Sequence, residues 1–199
     1  MEQLFSGIET WSWYSEEKGI NFNGYLIGTG KECVVIDPPP MTIDDKQDLS
    51  INGVKGVILT NRDHTREAME CRLLLNTKIW APEADAPEMG SITVDHTYKD
   101  GDLLPAGLKV VSLSNGKSPG ESALYLNQHG GVFILGDALI GQPDGSLRLL
   151  PPDRYADVKK AKEGLRRLLD YDFEVVLVGD GKPILTGGKK AVEAFLNRG

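Results

Sequence analysis

At 199 residues, 40% hydrophobic and 26% charged, the chain has the make-up of a soluble globular protein, enough for one large domain or two small ones. Its net charge of −7 and the lack of any basic tract exclude nucleic-acid binding by bulk electrostatics. No run of about 18 apolar residues is present, so no membrane-spanning helix is expected. The opening residues, Met1 to Phe5, lack the basic-then-apolar order of a signal peptide. Cys33 and Cys71 lie far apart, each in an apolar run, and read as small buried hydrophobes in a reducing cytoplasm.

In chain order, Trp11, Trp13 and Tyr14 alternate with polar residues in an early strand, a pattern of packing or of an edge. Phe22 to Gly28 predicts a strand, Thr29 to Glu32 a hairpin turn, and Cys33 to Asp37 a short apolar strand stopped by Pro38, Pro39 and Pro40. A polar link over Asp44 to Asn52 leads to a strand from Val57 to Thr60. Arg66 to Leu75 predicts a helix, with Met69, Leu73 and Leu74 on one face. Lys78 to Ala81 is a further strand, and Pro82 opens an irregular acidic segment that includes His96. Strands follow over Leu108–Leu113, Ser122–Leu126, Val132–Leu135 and Leu147–Leu150, with His129 in a turn. The final third switches to helical spacing at Val158, Ala161, Leu165, Leu168 and Leu169. A buried-type strand over Glu174–Val178 and a helix over Lys189–Leu196 close the chain. With no linker or repeat visible, residues 1–199 read as one domain.

Three apolar strands end in polar residues: Asn61-Arg62-Asp63-His64 after the first, Gly136-Asp137 after the second, Gly179-Asp180-Gly181 after the third. A single Gly-Asp after a strand is most simply a turn or cap. Carboxylates at the ends of several buried strands collect at one edge of a sheet, where α/β-type folds place their sites. Gly187 to Lys190 lacks phosphate-loop spacing, and no nucleophile elbow is present.

The order of these pieces resembles the metallo-β-lactamase superfamily over nearly the whole chain. Asn23 to Ile27 with Val34 to Asp37 is similar to that family's opening hairpin and structural aspartate, Asp37. Val57 to Thr60 is similar to the strand before its His-x-His-x-Asp-His motif. Asp100 to Leu104, Gly107 to Val110 and Ser118 to Leu126 match the surroundings of its next metal histidine. Gly136-Asp137 matches the strand end that bears the metal-bridging aspartate, and Gly179-Asp180-Gly181 stands where the family has Gly-His-Gly. The resemblance implies a four-layer αβ/βα sandwich, of mixed α+β and α/β character, with its site along one edge of two sheets.

The departures bear on function. The stretch after Thr60 is shorter than the motif. Aligning its Asp-His pair puts Asn61 at the first histidine with a deletion; aligning without a gap puts Leu59 and Asn61 at the two histidines. Lys117 falls at the third histidine and Asp180 at the last. A catalytic zinc takes at least three firm protein ligands, and lysine's ammonium has no lone pair to give. The resemblance therefore implies that the first metal site is lost. It leaves Asp63, His64, Asp137 and Asp180 as second-site ligands, with Asp63 as the candidate catalytic carboxylate. Asn61, Arg62 and Lys117 are candidate site-lining or metal-replacing residues. Lys117, beside Asp137, could substitute a cation for the missing metal. A metal-free member that binds a small molecule or a partner is one expectation. The alternative is a hydrolase using one divalent ion, zinc, iron or manganese. A homodimer through the Trp11–Trp13 edge is a further expectation.

Overall fold

Side chains alternate between the two faces of a strand, so a strand that is apolar throughout must be covered on both sides. The computed structural model describes residues 1–198 and shows how this chain provides that cover. β1 (Glu2–Phe5), β2 (Ile8–Ser15), β3 (Ile20–Ile27) and β4 (Cys33–Ile36) form an antiparallel meander. The pairing then turns parallel through β5 (Val54–Ile58), β6 (Lys78–Pro82) and β7 (His96–Tyr98), completing a seven-stranded sheet. Parallel neighbours need crossovers. α1 (Ile43–Ile51) joins β4 to β5, and α2 (Ala68–Leu75) joins β5 to β6.

The second sheet holds β8 (Leu103–Leu104), β9 (Leu108–Ser112), β10 (Ser122–Leu126) and β11 (Val132–Leu135) in antiparallel order. β12 (Ile140–Gly141) and β13 (Leu147–Arg148) form a small ribbon beyond it. After α3 (Val158–Gly164), β14 (Val175–Val178) pairs parallel with β11, and α4 (Gly188–Asn197) follows.

The alternation sorts the core into three apolar layers. Val34, Ile36 and Ile58 meet Leu124, Ile134 and Leu177 between the two sheets. Val35, Val57 and Leu59 face the other way, onto Leu49 of α1 and Ala68 and Cys71 of α2. Phe133, Leu135, Val176 and Val178 pack under Leu165, Leu168, Val192 and Phe195. The result is helix, sheet, sheet, helix: the expected four-layer sandwich. Cys33 and Cys71 are buried and unpaired. No helix of the described residues is long and apolar enough to cross a membrane.

Two segments differ from the sequence reading. The link over Asp44–Asn52 is largely α1, opened by a reciprocal cap in which Thr42 Oγ1 accepts from the Asp45 amide at 3.1 Å and Asp45 accepts from the Thr42 amide at 3.0 Å. Its apolar pattern is faint because only Leu49 is buried, while Ile43 and Ile51 face outward. The segment around His96 is the edge strand β7, where His96 lies 4.6 Å from the Trp80 ring. His129 sits in its turn, its Nε2 3.0 Å from the Ser6 carbonyl. Trp11 is buried, whereas Trp13 and Tyr14 are exposed on the part of β2 beyond its pairing with β1.

Candidate functional site

The polar strand ends converge from both sheets. β5 runs out at Ile58, and Leu59-Thr60 lead into a single 3-10 turn over Arg62–His64, capped by Asn61, whose Oδ1 accepts from the Asp63 amide at 2.8 Å. β11 delivers Gly136-Asp137, β14 delivers Gly179-Asp180, and the loop after β9 delivers Lys117. Two glycines permit the approach. A Cβ on Gly136 would stand 2.1 Å from Thr60 Oγ1, and one on Gly179 would stand 2.5 Å from His64 Cε1.

Asp37, at the end of β4, organises the near side. Its carboxylate accepts from the Thr60 amide at 2.8 Å and the Thr60 hydroxyl at 2.6 Å, and lies 2.8 Å from His64 Nδ1. These bonds hold Asp37 at a φ of 45°, an unusual conformation for a residue with a side chain. With Nδ1 committed to Asp37, His64 presents Nε2 to the cleft, 3.5 Å from Asp137 Oδ1.

Two cationic side chains fill the space among the carboxylates. Lys117 Nζ lies 2.7 Å from Asp137 Oδ2 and 2.9 Å from Asp63 Oδ2. Arg66 Nη2 lies 2.5 Å from Asp180 Oδ1 and 3.2 Å from His64 Nε2, with its guanidinium 4.6 Å from the centre of the Phe22 ring.

Proton affinities follow from this arrangement. Burial and Arg66 work against a charge on His64, but Asp37 and Asp137 outweigh them and push its pKa up to about 10. Burial would raise Asp137, yet His64 and Lys117 hold its carboxyl well below the usual range. Burial also opposes the Lys117 ammonium, but Asp137 and Asp63 keep its pKa above the ordinary lysine value. Burial lifts Asp180 above its ordinary value, against the pull of His64 and Arg66.

Of the four expected ligands, His64, Asp137 and Asp180 are buried and come together, with ligand atoms all within 4.8 Å of one another. Asp63 stays outside that group; its side chain is 44% exposed and turned to Lys117. Asn61 is spent on its cap and on Glu121, to which its Nδ2 donates at 3.3 Å. Arg62 leaves the cleft: its guanidinium pairs with Glu88, and its amide donates to Asp85 at 2.9 Å. The cation that the sequence reading placed at Arg62 is instead Arg66. The signal that could have found it is a cation just ahead of α2, where the helix dipole disfavours positive charge unless a partner is supplied. Glu121 was missed as well. It is buried beneath Asn61 with Oε2 unpartnered, and burial reinforced by Asp137 lifts its carboxyl well above the usual range.

A cleft of about 460 Å³ opens over these groups. Ile20, Phe22, Ile140, Leu150 and Pro151 supply its apolar lining.

Two face-to-face mixed sheets flanked by helices, with a His-Asp-Asp cluster on their shared edge, define an αβ/βα sandwich of the metallo-hydrolase type. The chain belongs to the metallo-β-lactamase superfamily, whose family model matches residues 4–197. Solved structures agree on the fold. A metallo-β-lactamase from Pontibacter korlensis is 18% identical, with 98% of each chain covered and a TM-score of 0.74. One from Erythrobacter litoralis, with β-mercaptoethanol in its active site, is 17% identical, with 98% and 93% covered and a TM-score of 0.77. A metallo-β-lactamase family protein from Thermus thermophilus is 20% identical, with 96% and 79% covered and a TM-score of 0.68. Among curated proteins, none matches this chain.

Proposed function

We propose that this protein is a ligand-binding member of the superfamily whose dinuclear metal site has been replaced by cationic side chains. The observation that carries the reading is the position of Lys117, whose ammonium lies 2.7 Å from Asp137 and 2.9 Å from Asp63. Arg66 makes the corresponding contact with Asp180. The residues present do not fit a resident pair of divalent ions. Each of the three carboxylates already has a cationic partner at hydrogen-bonding distance, and Arg66 Nη2 stands 3.2 Å from His64 Nε2, the nitrogen that a metal would need.

The test is elemental analysis of protein purified without chelator, followed by titration with zinc, iron and manganese. The expected result is protein that carries no stoichiometric metal and takes up none. About one equivalent of a transition metal, lost on Asp180→Ala, would overturn it.

A second reading rests on the convergence of His64, Asp137 and Asp180, which is enough donors for one ion. On that reading the protein is a single-metal hydrolase. The ion would have to displace Arg66 from Asp180 and from His64 Nε2, and the same titration decides between the two.

A further inference from the structure

The chain carries a net charge of −7, yet its cleft is lined by more cations than anions. Asp63, Asp137 and Asp180 are the carboxylates of the lining, and Lys117 and Arg66 already answer them. Lys18, Arg148 and Arg154 are the remaining lysine and arginines of the lining. A second groove, of about 470 Å³, shares Lys18, Ile20 and Arg148 with the first. It adds Lys182 and has no carboxylate in its lining.

Among the described residues, only Lys18 of these four cations has an acidic partner, its exposed sequence neighbour Glu17 at 2.8 Å. Arg148 donates to the Leu149 carbonyl at 3.0 Å, and Lys182 reaches the Pro143 carbonyl at 3.4 Å. Backbone carbonyls leave both charges uncompensated. Like charges brought together on an otherwise acidic surface repel one another, and a bound anion relieves that repulsion. Lys18, Arg148 and Arg154 come from two separate parts of the chain. The turn between β2 and β3 supplies Lys18, while β13 and the segment after it supply Arg148 and Arg154. Ile20, Phe22 and Leu150 add apolar surface to the same lining.

We infer that the cleft binds a small organic anion, its phosphate or carboxylate group held by Lys18 and Arg148, which line both grooves, and by Arg154, which lines the first, and its apolar body lying against Phe22 and Leu150. Guanidinium groups suit either anion because their paired donors match two oxygens at once. A volume in this range accommodates a small organic molecule rather than a bare ion. The inference deepens the ligand-binding reading above and rests on it for the role of the floor.

The experiment is calorimetric titration of the full chain with phenyl phosphate, phenylacetate, benzyl alcohol and inorganic phosphate, with metal content measured on the same sample. Phenyl phosphate or phenylacetate is expected to bind more tightly than benzyl alcohol and inorganic phosphate by about tenfold or more. The tighter of the two names the anionic group. Binding should weaken as salt is raised, because exposed charges are screened over about 10 Å at 0.1 M. The Arg148→Gln/Arg154→Gln pair, at exposed positions, should fold normally by circular dichroism and lose about tenfold in affinity. Lys18→Gln should weaken binding less, because Glu17 already draws on that charge.

Failure of both aromatic anions to bind, equal binding of benzyl alcohol, or unchanged affinity in the double variant would overturn the inference. Protein that holds a metal but keeps the Arg148- and Arg154-dependent affinity would refute the metal-free reading and leave the anion site standing. Metal-free protein that binds neither anion would do the reverse.

Discussion

Replacing Lys117 with methionine keeps the aliphatic stem and removes only the ammonium. Asp137, with a side chain 5% exposed, then has His64 at 3.5 Å as its remaining cationic neighbour. Asp63 is 44% exposed and turns to water at little cost. Removing one partner of a fully buried ion pair costs about 3–5 kcal/mol. Here the lysine side chain is 20% exposed and Asp137 keeps one partner, so solvent and His64 offset part of the loss. A destabilisation of about 2 kcal/mol is expected at neutral pH. For a domain of this size that lowers Tm by roughly 4–8 °C. Urea unfolding followed by circular dichroism measures it, provided the slope m is unchanged. The companion variants are Asp137→Asn and the double Lys117→Met/Asp137→Asn. If the ammonium acts through Asp137, the double variant should recover about 1 kcal/mol or more relative to the sum of the two singles. A Lys117→Met protein within about 0.5 kcal/mol of the parent, or strict additivity in the double, would refute the electrostatic account of this residue.

Stability should fall as pH rises from the ordinary histidine value near 6.5 towards about 10, because folded His64 keeps a proton that the unfolded chain gives up. That contribution is complete below 6.5 and gone above 10; thermal melts flat across this window would contradict it. Asp137 has the opposite sign: its depressed pKa stabilises the fold above the ordinary value of 3.8, and that stability drains away as pH falls below it. Acid unfolding of Asp137→Asn should therefore be less steep than that of the parent. Arg66→Ala combined with Lys117→Ala clears both cations from the three converging ligands, and calorimetry should then detect zinc binding that the parent lacks. A double variant that still ignores zinc would show that something other than these cations excludes it. Gly136→Ala forces a Cβ to 2.1 Å from Thr60 Oγ1 and should cost about 2–3 kcal/mol in the same unfolding assay; an unaffected midpoint would mean that the strand ends can separate freely.

Much of this protein is written locally in its residues. Strands such as Cys33–Ile36, Val132–Leu135 and Val175–Val178 are apolar on both faces and could only lie inside a layered α/β structure. The carboxylates that follow them are where strands leave the sheet, so Asp137 and Asp180 were legible as site candidates without coordinates. Lys117 was legible only through the family resemblance, which sets it at a metal histidine, where its ammonium cannot be a ligand and suits carboxylate neighbours. α1 was not legible, since a helix with one buried apolar residue leaves little periodicity to read and its cap became clear only once formed.

Tertiary structure decided which arginine enters the site. Arg62 opens the short turn and Arg66 follows it, and the one local difference between them is that Arg66 stands just ahead of α2. The cap by Asn61 and the 3-10 turn direct Arg62 outward to Glu88, while Arg66, at a φ of 29°, is brought across to an aspartate 114 positions away. Periodicity reports which face of an element is buried, because neighbours along the chain share that face. An ion pair between two loops depends on where the sheets place their ends, and that is settled only when the whole sandwich has packed. The residues by themselves determined the layers and the carboxylates at their edge; the packed fold determined that Lys117 and Arg66 stand among them.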